Sequence, residues 1–158
     1  MKFFLSKLFA TFFFVGLIKK APGTFGTLAG AIAIFPFFAT ISFLDFQYLI
    51  YSFFVLGTIA TKIYMNYTKR EDPKEVVIDE VLGIWITLAI CKFYLNDYSI
   101  WQIFLYSILL FRFFDILKPF PISLADKKIK NAFGVMFDDI LAGLFAGVII
   151  VFVAKFFL

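Results

Sequence analysis

Five long apolar stretches constrain the fold of this chain more than any other feature of its sequence. They cover residues 24–44, 46–61, 76–95, 98–117 and 133–158. The first carries no charged residue, and none alternates polar and apolar residues as a half-buried strand would. A helix needs about 20 apolar residues to cross a bilayer, and only the second stretch is short by that measure. The sequence therefore predicts an all-α, polytopic helical membrane protein with four to five membrane-embedded helices.

The composition argues against the alternative of a very hydrophobic water-soluble domain. Hydrophobic residues make up 63% of the 158 residues, including 26 Phe, and charged residues only 16%, whereas about a quarter of a soluble domain is charged. A fold of this size could not bury that much apolar surface. The net charge is +4, but the basic residues lie in short runs between apolar stretches. We therefore predict a single domain over residues 1–158 with a bilayer as its partner and no nucleic acid.

Residues 1–20 are predicted to form an N-terminal helix that precedes the helical bundle of residues 24–158. Lys2 and the apolar run after it resemble a signal peptide. However, Lys7 interrupts the run, and Lys19 and Lys20 follow it where a cleavage site requires small residues. We predict a retained interfacial helix with Lys7 facing water, and a full membrane span is the alternative.

The loops between the apolar stretches alternate in charge. Basic residues occupy positions 19–20 and the segments 62–74 and 118–130, whereas the connections at Asp45 and at 96–97 carry no Lys or Arg. Basic loops of membrane proteins lie on the cytoplasmic side. This pattern predicts that the first, third and fifth long helices begin, and the second and fourth end, at the cytoplasmic face.

Charged residues embedded in or beside these helices all fall at that same face. They are Asp79, Glu80, Arg112, Asp115, Lys118, Asp138 and Asp139. An ionised side chain at the bilayer centre costs about 2.5–3.5 kcal/mol, so these groups should face one another or an aqueous cavity. Gathered carboxylates repel unless a cation joins them, and a chain without histidine offers oxygen ligands that favour Mg²⁺ over Zn²⁺. The predicted metal ligands are Asp79, Glu80, Asp138 and Asp139.

Small residues share a helix face with two of these acids and should let neighbouring helices approach closely. The two sets are Asp79, Gly83, Thr87 and Asp139, Gly143, Gly147. A Gly/Thr segment, "APGTFGT" at residues 21–27, opens the first long helix at the same face. Its backbone N–H groups and the Thr24 and Thr27 hydroxyls could bind phosphate. The alternative is a plain turn in which Thr24 caps the helix.

A cluster of carboxylates and a metal ion beside Arg112 and Lys118 suits a phosphate ester carried on a lipid. The two cationic side chains would bind the phosphate, and Asp115 would be a further ligand, a general base or the group that orients Lys118. Histidine-dependent phosphatases are excluded, and so is a Cys-x5-Arg site, because Asp97 stands where that motif after Cys91 requires Arg. A cation carrier or channel that uses the same acids is the alternative function, and a small structural subunit is a third.

Four motifs in this order resemble the bacterial phosphatidylglycerophosphatase A family: "PGTFGTL", "DEVLGIWIT", "FRFFDILKPFPI" and "GVMFDDILAG". The resemblance covers residues 17–147. It implies a Mg²⁺-dependent inner-membrane hydrolase that converts phosphatidylglycerophosphate to phosphatidylglycerol in phospholipid biosynthesis, with its active site facing the cytoplasm. The chain departs from the family at "KNAFG", where the family often has more glycine. By this resemblance the following residues fall on the family's motif positions: Thr24, Thr27, Asp79, Glu80, Asp115, Lys118, Asp138 and Asp139. Whether water or a carboxylate attacks phosphorus stays open.

Overall fold

The computed structural model describes residues 1–157, and this range contains seven α-helices, one short 3₁₀ turn and no strand. The helices are α1 (Lys2–Ala10), α2 (Pro22–Phe38), α3 (Phe43–Thr68), α4 (Ile78–Tyr94), α5 (Ile100–Leu117), α6 (Ile122–Lys128) and α7 (Ala132–Phe157). Three of them, α3, α5 and α7, are long and apolar enough to cross a membrane, and α2 is apolar but shorter. The all-helical prediction is confirmed, whereas a count of four to five membrane-embedded helices is not.

The five predicted stretches correspond to α2, α3, α4, α5 and α7, with shifted ends. Helix α2 ends at Phe38 instead of reaching residue 44, shortly after Pro36, which has no backbone N–H to continue the helix. Helix α3 begins at Phe43, because the Ser42 hydroxyl caps it by accepting the Asp45 N–H at 3.1 Å. Asp45 therefore lies in the first turn of α3 and not in the connection. Helix α3 continues to Thr68, so the first part of the predicted loop 62–74 is helical.

The N-terminal segment differs from the single helix predicted over residues 1–20. Helix α1 has nine residues, and at 1.5 Å per residue it is too short to cross a hydrocarbon core of about 30 Å. The chain then turns through Phe12, Phe13 and Phe14, whose φ angles are 41°, 55° and 71°, into the 3₁₀ turn Val15–Leu17. The full-span alternative is therefore wrong. Helix α1 packs along α3, and its interfacial location stays a prediction.

Helices α4 and α7 form the centre of the bundle and cross at glycine. A Cβ atom on Gly143 would lie 2.4 Å from the carbonyl oxygen of Gly83, so no larger residue fits at this crossing. The Thr87 hydroxyl bridges the two helices, since it lies 3.0 Å from the Gly143 carbonyl and 3.1 Å from the Gly83 carbonyl. The predicted small-residue faces of these helices do meet. Their close approach brings together the first turns of α4 and the acidic segment of α7.

Helices α2 and α5 pack around this central pair. The Trp85 indole N–H of α4 donates to the Gly30 carbonyl of α2 at 2.7 Å. On the α5 side, the Ser107 hydroxyl lies 3.7 Å from the sulfur of Cys91, which is fully buried. Cys91 is thus a packing residue, as the apolar sequence around it predicts.

Helix α6 was not predicted, because it lies within the basic segment 118–130. It is seven residues long, and its buried side chains Ile122 and Ala125 lie on the face that packs against α7. The helix carries Asp126 and ends in Lys127 and Lys128. A short helix therefore covers the charged end of the bundle.

Candidate active site

A cavity of about 340 Å³ lies at the end of the bundle where α2, α4 and α7 begin and α5 ends. All seven charged residues singled out in the helical sequence line it: Asp79, Glu80, Arg112, Asp115, Lys118, Asp138 and Asp139. Six of these residues belong to α4, α5 and α7, and Lys118 directly follows the last residue of α5. Their convergence avoids the cost of exposing ionised groups to lipid.

Three carboxylates in this cavity form a compact acidic cluster. One oxygen each from Asp79, Glu80 and Asp139 lies within 4.8 Å of the other two. Asp79 and Asp139 are buried, and the Glu80 N–H donates to Asp79 Oδ1 at 3.1 Å. Ionised oxygens held this close repel one another, so the arrangement suits a hard cation that accepts oxygen ligands. We use the name acidic cluster for these three residues.

Asp138, the neighbour of Asp139, stands outside the acidic cluster. Its Oδ2 accepts a hydrogen bond from the Lys118 ammonium, while its buried Oδ1 has no hydrogen-bond partner. Lys118 also donates to Asp126 Oδ1 at 2.7 Å. The structure thus groups three of the four predicted metal ligands and places the fourth against a lysine.

The Lys118 ammonium and the Asp126 carboxylate form an ion pair that favours the charged form of both groups. Burial lowers the pKa of Lys118, but hydrogen bonds to Asp126 and Asp138 outweigh it and raise the pKa above the usual value. The hydrogen bond from Lys118 lowers the pKa of Asp126. Both shifts favour the charged form of the group, and Lys118 lines the cavity wall.

Arg112 is the second cation of the site. Its guanidinium pairs with Asp115 one turn along α5, and its Nη1 lies 4.0 Å from Glu80 Oε1. Its buried Nε–H has no partner in the described part of the chain. The expected orientation of Lys118 by Asp115 is not observed, because Asp126 and Asp138 hold the ammonium and Asp115 holds the arginine.

The Gly/Thr segment contributes to the site through its backbone. Gly23 lines the cavity, and a Cβ there would lie 2.1 Å from Glu80 Oε1 and 3.1 Å from Arg112 Nη1. Glycine thus allows the first turn of α2 to touch both charged groups. Thr27 is fully buried and donates to the Gly23 carbonyl at 2.9 Å.

Among the described residues that line the cavity, neither Thr24 nor Thr27 is present. The predicted contact of these two hydroxyls with phosphate therefore has no support from the cavity geometry. The turn alternative is also corrected, since α2 begins at Pro22 and Ala21 occupies the cap position. Thr24 lies inside the first turn and is not the cap.

One contact of the site was missed from the sequence. Asp126 is the only acid in the basic segment 118–130, and that isolation was the available signal. Its pairing with Lys118 depends on α6, which follows two prolines and is too short for a periodic pattern to reveal. Further charged residues at the cavity rim were not singled out either: Glu71, Asp72, Lys74 and Lys130.

The comparisons with known proteins cover nearly the whole chain. Residues 8–154 match the family model described as Phosphatidylglycerophosphatase A. The chain belongs to the phosphatidylglycerophosphatase A family. This membership confirms the family resemblance and the prediction of a phosphoric monoester hydrolase. No solved structure matches this fold.

Three curated relatives are similar over nearly their full length. The phosphatidylglycerophosphatase A of Haemophilus influenzae is 39% identical over 151 residues, which cover 96% of this chain and 89% of the relative. The Escherichia coli protein of the same name is 34% identical, covering 92% of this chain and 81% of the relative. A Bacteroides thetaiotaomicron protein named "Putative phosphatidylinositol-3-phosphatase" is also 34% identical, covering 93% and 92% respectively. Each of the three names describes a phosphatase that acts on a phospholipid.

Proposed function

We propose that this protein hydrolyses phosphatidylglycerophosphate to phosphatidylglycerol and phosphate with the help of a Mg²⁺ ion held by the acidic cluster. The observation that carries the proposal is the approach of three carboxylate oxygens to within 4.8 Å beside the cations Arg112 and Lys118. Phosphatidylglycerophosphatase A is the name of the family and of two relatives. The substrate and the metal both follow from combining that name with this geometry.

The residues present fit a magnesium ion. Asp79, Glu80 and Asp139 offer oxygen donors only, and oxygen is the donor that Mg²⁺ prefers in proteins. Two buried carboxylate oxygens, Glu80 Oε2 and Asp138 Oδ1, have no hydrogen-bond partner, and such atoms are costly unless something binds them. The acidic cluster would hold the ion, and Asp138 stays a predicted ligand through this free oxygen.

The chain's own groups supply charge and orientation for the hydrolysis. When bound, the metal would polarise the phosphoryl group and ready a water molecule. Arg112 and Lys118 would donate charge-assisted hydrogen bonds to the phosphoryl oxygens and so stabilise the negative charge of the phosphoryl group during its transfer. Asp115 holds the Arg112 guanidinium in place. The phosphorus–oxygen bond to the glycerol breaks and a new bond from the water oxygen to phosphorus forms. One proton of that water ends on the glycerol oxygen, and the other stays on the released phosphate.

A phosphate-release assay tests this proposal. Purified protein in detergent micelles receives phosphatidylglycerophosphate with Mg²⁺, with EDTA, and with EDTA followed by excess Mg²⁺. We expect release with Mg²⁺, none with EDTA, and recovery after Mg²⁺ is restored. If no phosphate is released with Mg²⁺ or Mn²⁺, phosphatidylglycerophosphate is not the substrate. If release persists in EDTA, the reaction does not require the metal ion.

A parallel arm uses phosphatidylinositol 3-phosphate, because one relative bears that activity in its name. Faster release from the inositol lipid would replace the proposed substrate while leaving the reaction class intact. A binding measurement separates the metal from turnover. Mn²⁺ binding, followed by electron paramagnetic resonance, should weaken at least about tenfold in Asp139→Asn, and unchanged binding would remove Asp139 from the ligand set.

The cavity is proposed to face the cytoplasm of a bacterial inner membrane. Basic residues crowd the cavity end of the bundle at 19–20, 69–74 and 127–130, and such residues favour the cytoplasmic side. A Lys128→Cys variant tests this orientation. An impermeant thiol reagent should leave it unlabelled in intact cells and label it in opened vesicles. Labelling of intact cells would invert the orientation.

The alternative of a cation carrier or channel is not favoured. A conduction path needs ionisable groups at several depths of the membrane. Helix α4 has no acid after Glu80, and α7 has none after Asp139. The acids thus end within the first turns from the cavity, which suits a reaction site at one face.

A further inference from the structure

Lys118 occupies an unusual backbone position. It follows the last residue of α5 with φ 43° and ψ 56°, in the left-handed region that glycine or asparagine usually fills. This residue ends α5 at the edge of the cavity, and its side chain lines the cavity wall.

The ammonium of Lys118 has three N–H donors, and the structure accounts for two of them. One is donated to Asp126 Oδ1 at 2.7 Å and one to Asp138 Oδ2. The third remains for a ligand in the cavity that Lys118, Asp126 and Asp138 all line. With two carboxylates fixed on one ammonium, the direction of this remaining N–H is fixed as well.

The two carboxylates reach Lys118 from different elements. Asp138 belongs to α7, which also carries Asp139 of the acidic cluster. Asp126 belongs to the short helix α6, which buries Ile122 and Ala125 beneath the cavity end. The Asp126 side chain is 34% exposed, whereas that of Asp138 is 7% exposed. Asp126 thus holds the ammonium from the water-facing side, and Asp138 holds it from within.

We propose that Asp126 is a positioning residue for the phosphatase reaction, which holds the Lys118 ammonium so that its free N–H meets a phosphoryl oxygen of the substrate. This inference rests on the proposed function. Without Asp126 the ammonium would keep only Asp138 as a partner and would turn toward it, away from the substrate. The lysine would then neutralise less of the charge that develops as the ester bond breaks. Asp126 is not one of the three acids of the acidic cluster, so its role would be exerted through Lys118.

Steady-state kinetics with phosphatidylglycerophosphate and Mg²⁺ test this role. We expect Asp126→Asn to lower kcat about tenfold and to change KM less than about twofold, because the lost contact acts in the transition state. Asp126→Glu restores the carboxylate and should recover at least about a third of the wild-type kcat. Asp97→Asn is the matched control, since Asp97 is an exposed acid that does not line this cavity and forms no salt bridge among the described residues. It should keep wild-type kinetics.

A double-mutant cycle separates positioning from a merely structural role. If Asp126 acts through Lys118, then Lys118→Ala/Asp126→Asn should be no slower than Lys118→Ala alone, within about twofold. Additive losses would overturn the proposal, and so would a wild-type kcat in Asp126→Asn. Asp126→Ala is the second variant if the asparagine variant does not fold, because alanine favours a helix at an exposed position. Its kcat should also fall about tenfold, and an unchanged value would reject the role.

The outcomes also separate this inference from the proposed function. If the wild-type protein releases no phosphate from phosphatidylglycerophosphate, the proposed function fails before any variant is compared. If the wild type is active and the Asp126 variants behave like Asp97→Asn, only the positioning role fails. An active wild type, a selective fall in kcat and non-additivity with Lys118→Ala together support both.

Discussion

Both ends of the helical bundle carry charged side chains, but the two ends differ in whether these side chains have partners within the protein. At the far end, the Lys92 ammonium donates to the carbonyl oxygens of Phe38 and Ala39 and lies 5.0 Å from the centre of the Phe38 ring. Lys155 lies 5.1 Å over the ring of Tyr94. Each far-end lysine is thus satisfied by carbonyl oxygens or an aromatic face that its surroundings provide.

The cavity end leaves polar atoms unsatisfied. Within residues 1–157, four buried side-chain nitrogen or oxygen atoms lack a hydrogen-bond partner, and three of them line the cavity. They are Glu80 Oε2, Arg112 Nε and Asp138 Oδ1. The difference shows that a charge in an apolar helix is not by itself the sign of a site. Convergence of opposite charges together with unpaired buried atoms is the better sign.

The largest expected effect comes from removing a charge at the cavity end. Asp139→Asn keeps the size of the side chain but weakens the acidic cluster, so phosphate release should fall at least about a hundredfold. The same substitution at the far end, Asp97→Asn, changes an exposed residue between α4 and α5 and should leave turnover unchanged. Both rates are measured as phosphate release at saturating substrate. An Asp139→Asn rate within threefold of wild type would break the contrast between the two ends.

The next largest effect is expected where α4 and α7 cross at Gly83 and Gly143. Gly143→Ala places a Cβ 2.4 Å from the Gly83 carbonyl oxygen, so the backbones of α4 and α7 must separate at a cost of about 1–3 kcal/mol. Thermal unfolding in detergent should shift down, and activity should fall because the acidic cluster spans the same two helices.

Gly57→Ala is the control for this crossing. Its Cβ would meet the flexible end of the Met136 side chain at 2.9 Å, and that end can move. We expect a smaller loss of stability and nearly normal turnover. Equal effects of the two substitutions would show that backbone contact at Gly143 has no special importance.

A smaller effect is expected from Lys92 at the far end. Lys92→Met keeps a long unbranched side chain and removes the hydrogen bonds to the end of α2, which should cost about 1 kcal/mol of folding free energy. Turnover should stay within about twofold of wild type, because the cavity is untouched. Unfolding followed by tryptophan fluorescence reports the first quantity and phosphate release the second. A tenfold loss of turnover would contradict this prediction and show that Lys92 contributes to catalysis.

The smallest expected effect is a dependence of stability on pH through Asp126. The pKa of Asp126 is lowered in the folded protein by Lys118, and Lys130 also acts in that direction. Because this pKa is lower in the folded protein, the Lys118–Asp126 ion pair stabilises the fold fully at pH values above the unfolded-state pKa of about 3.9. This stabilisation is lost as the pH falls through the folded-state pKa. The difference in melting temperature between wild type and Asp126→Asn should therefore be present at pH 6 and shrink below about pH 4. A difference that grows on acidification would contradict the sign.

Much of the fold and of the site followed from the sequence for reasons that can be named. The long apolar stretches fixed the helices, because backbone groups in lipid must bond within their own segment. The cost of ionised groups in lipid then required the charges of α4, α5 and α7 to converge. The spacing of Gly83 and Gly143 with the acids predicted which faces meet.

Other features depend on contacts that a linear pattern does not contain. Which carboxylate pairs with Arg112 and which with Lys118 is set by how the helices are rotated and by the left-handed turn at Lys118. The Thr27 hydroxyl has another hydrogen-bond acceptor than phosphate. A threonine in an apolar helix can donate to the carbonyl oxygen one turn earlier, and here Thr27 donates to the Gly23 carbonyl. Helix α6 offers too few residues for periodicity, so Asp126 was invisible as a partner.

The crossing of α4 and α7 has a consequence for biosynthesis. The acidic cluster takes Asp79 and Glu80 from one helix and Asp139 from the other, and α7 follows every other described helix along the chain. The acidic cluster therefore cannot form before α7 has been synthesised, because only α7 supplies Asp139 and the face that packs against the glycine of α4.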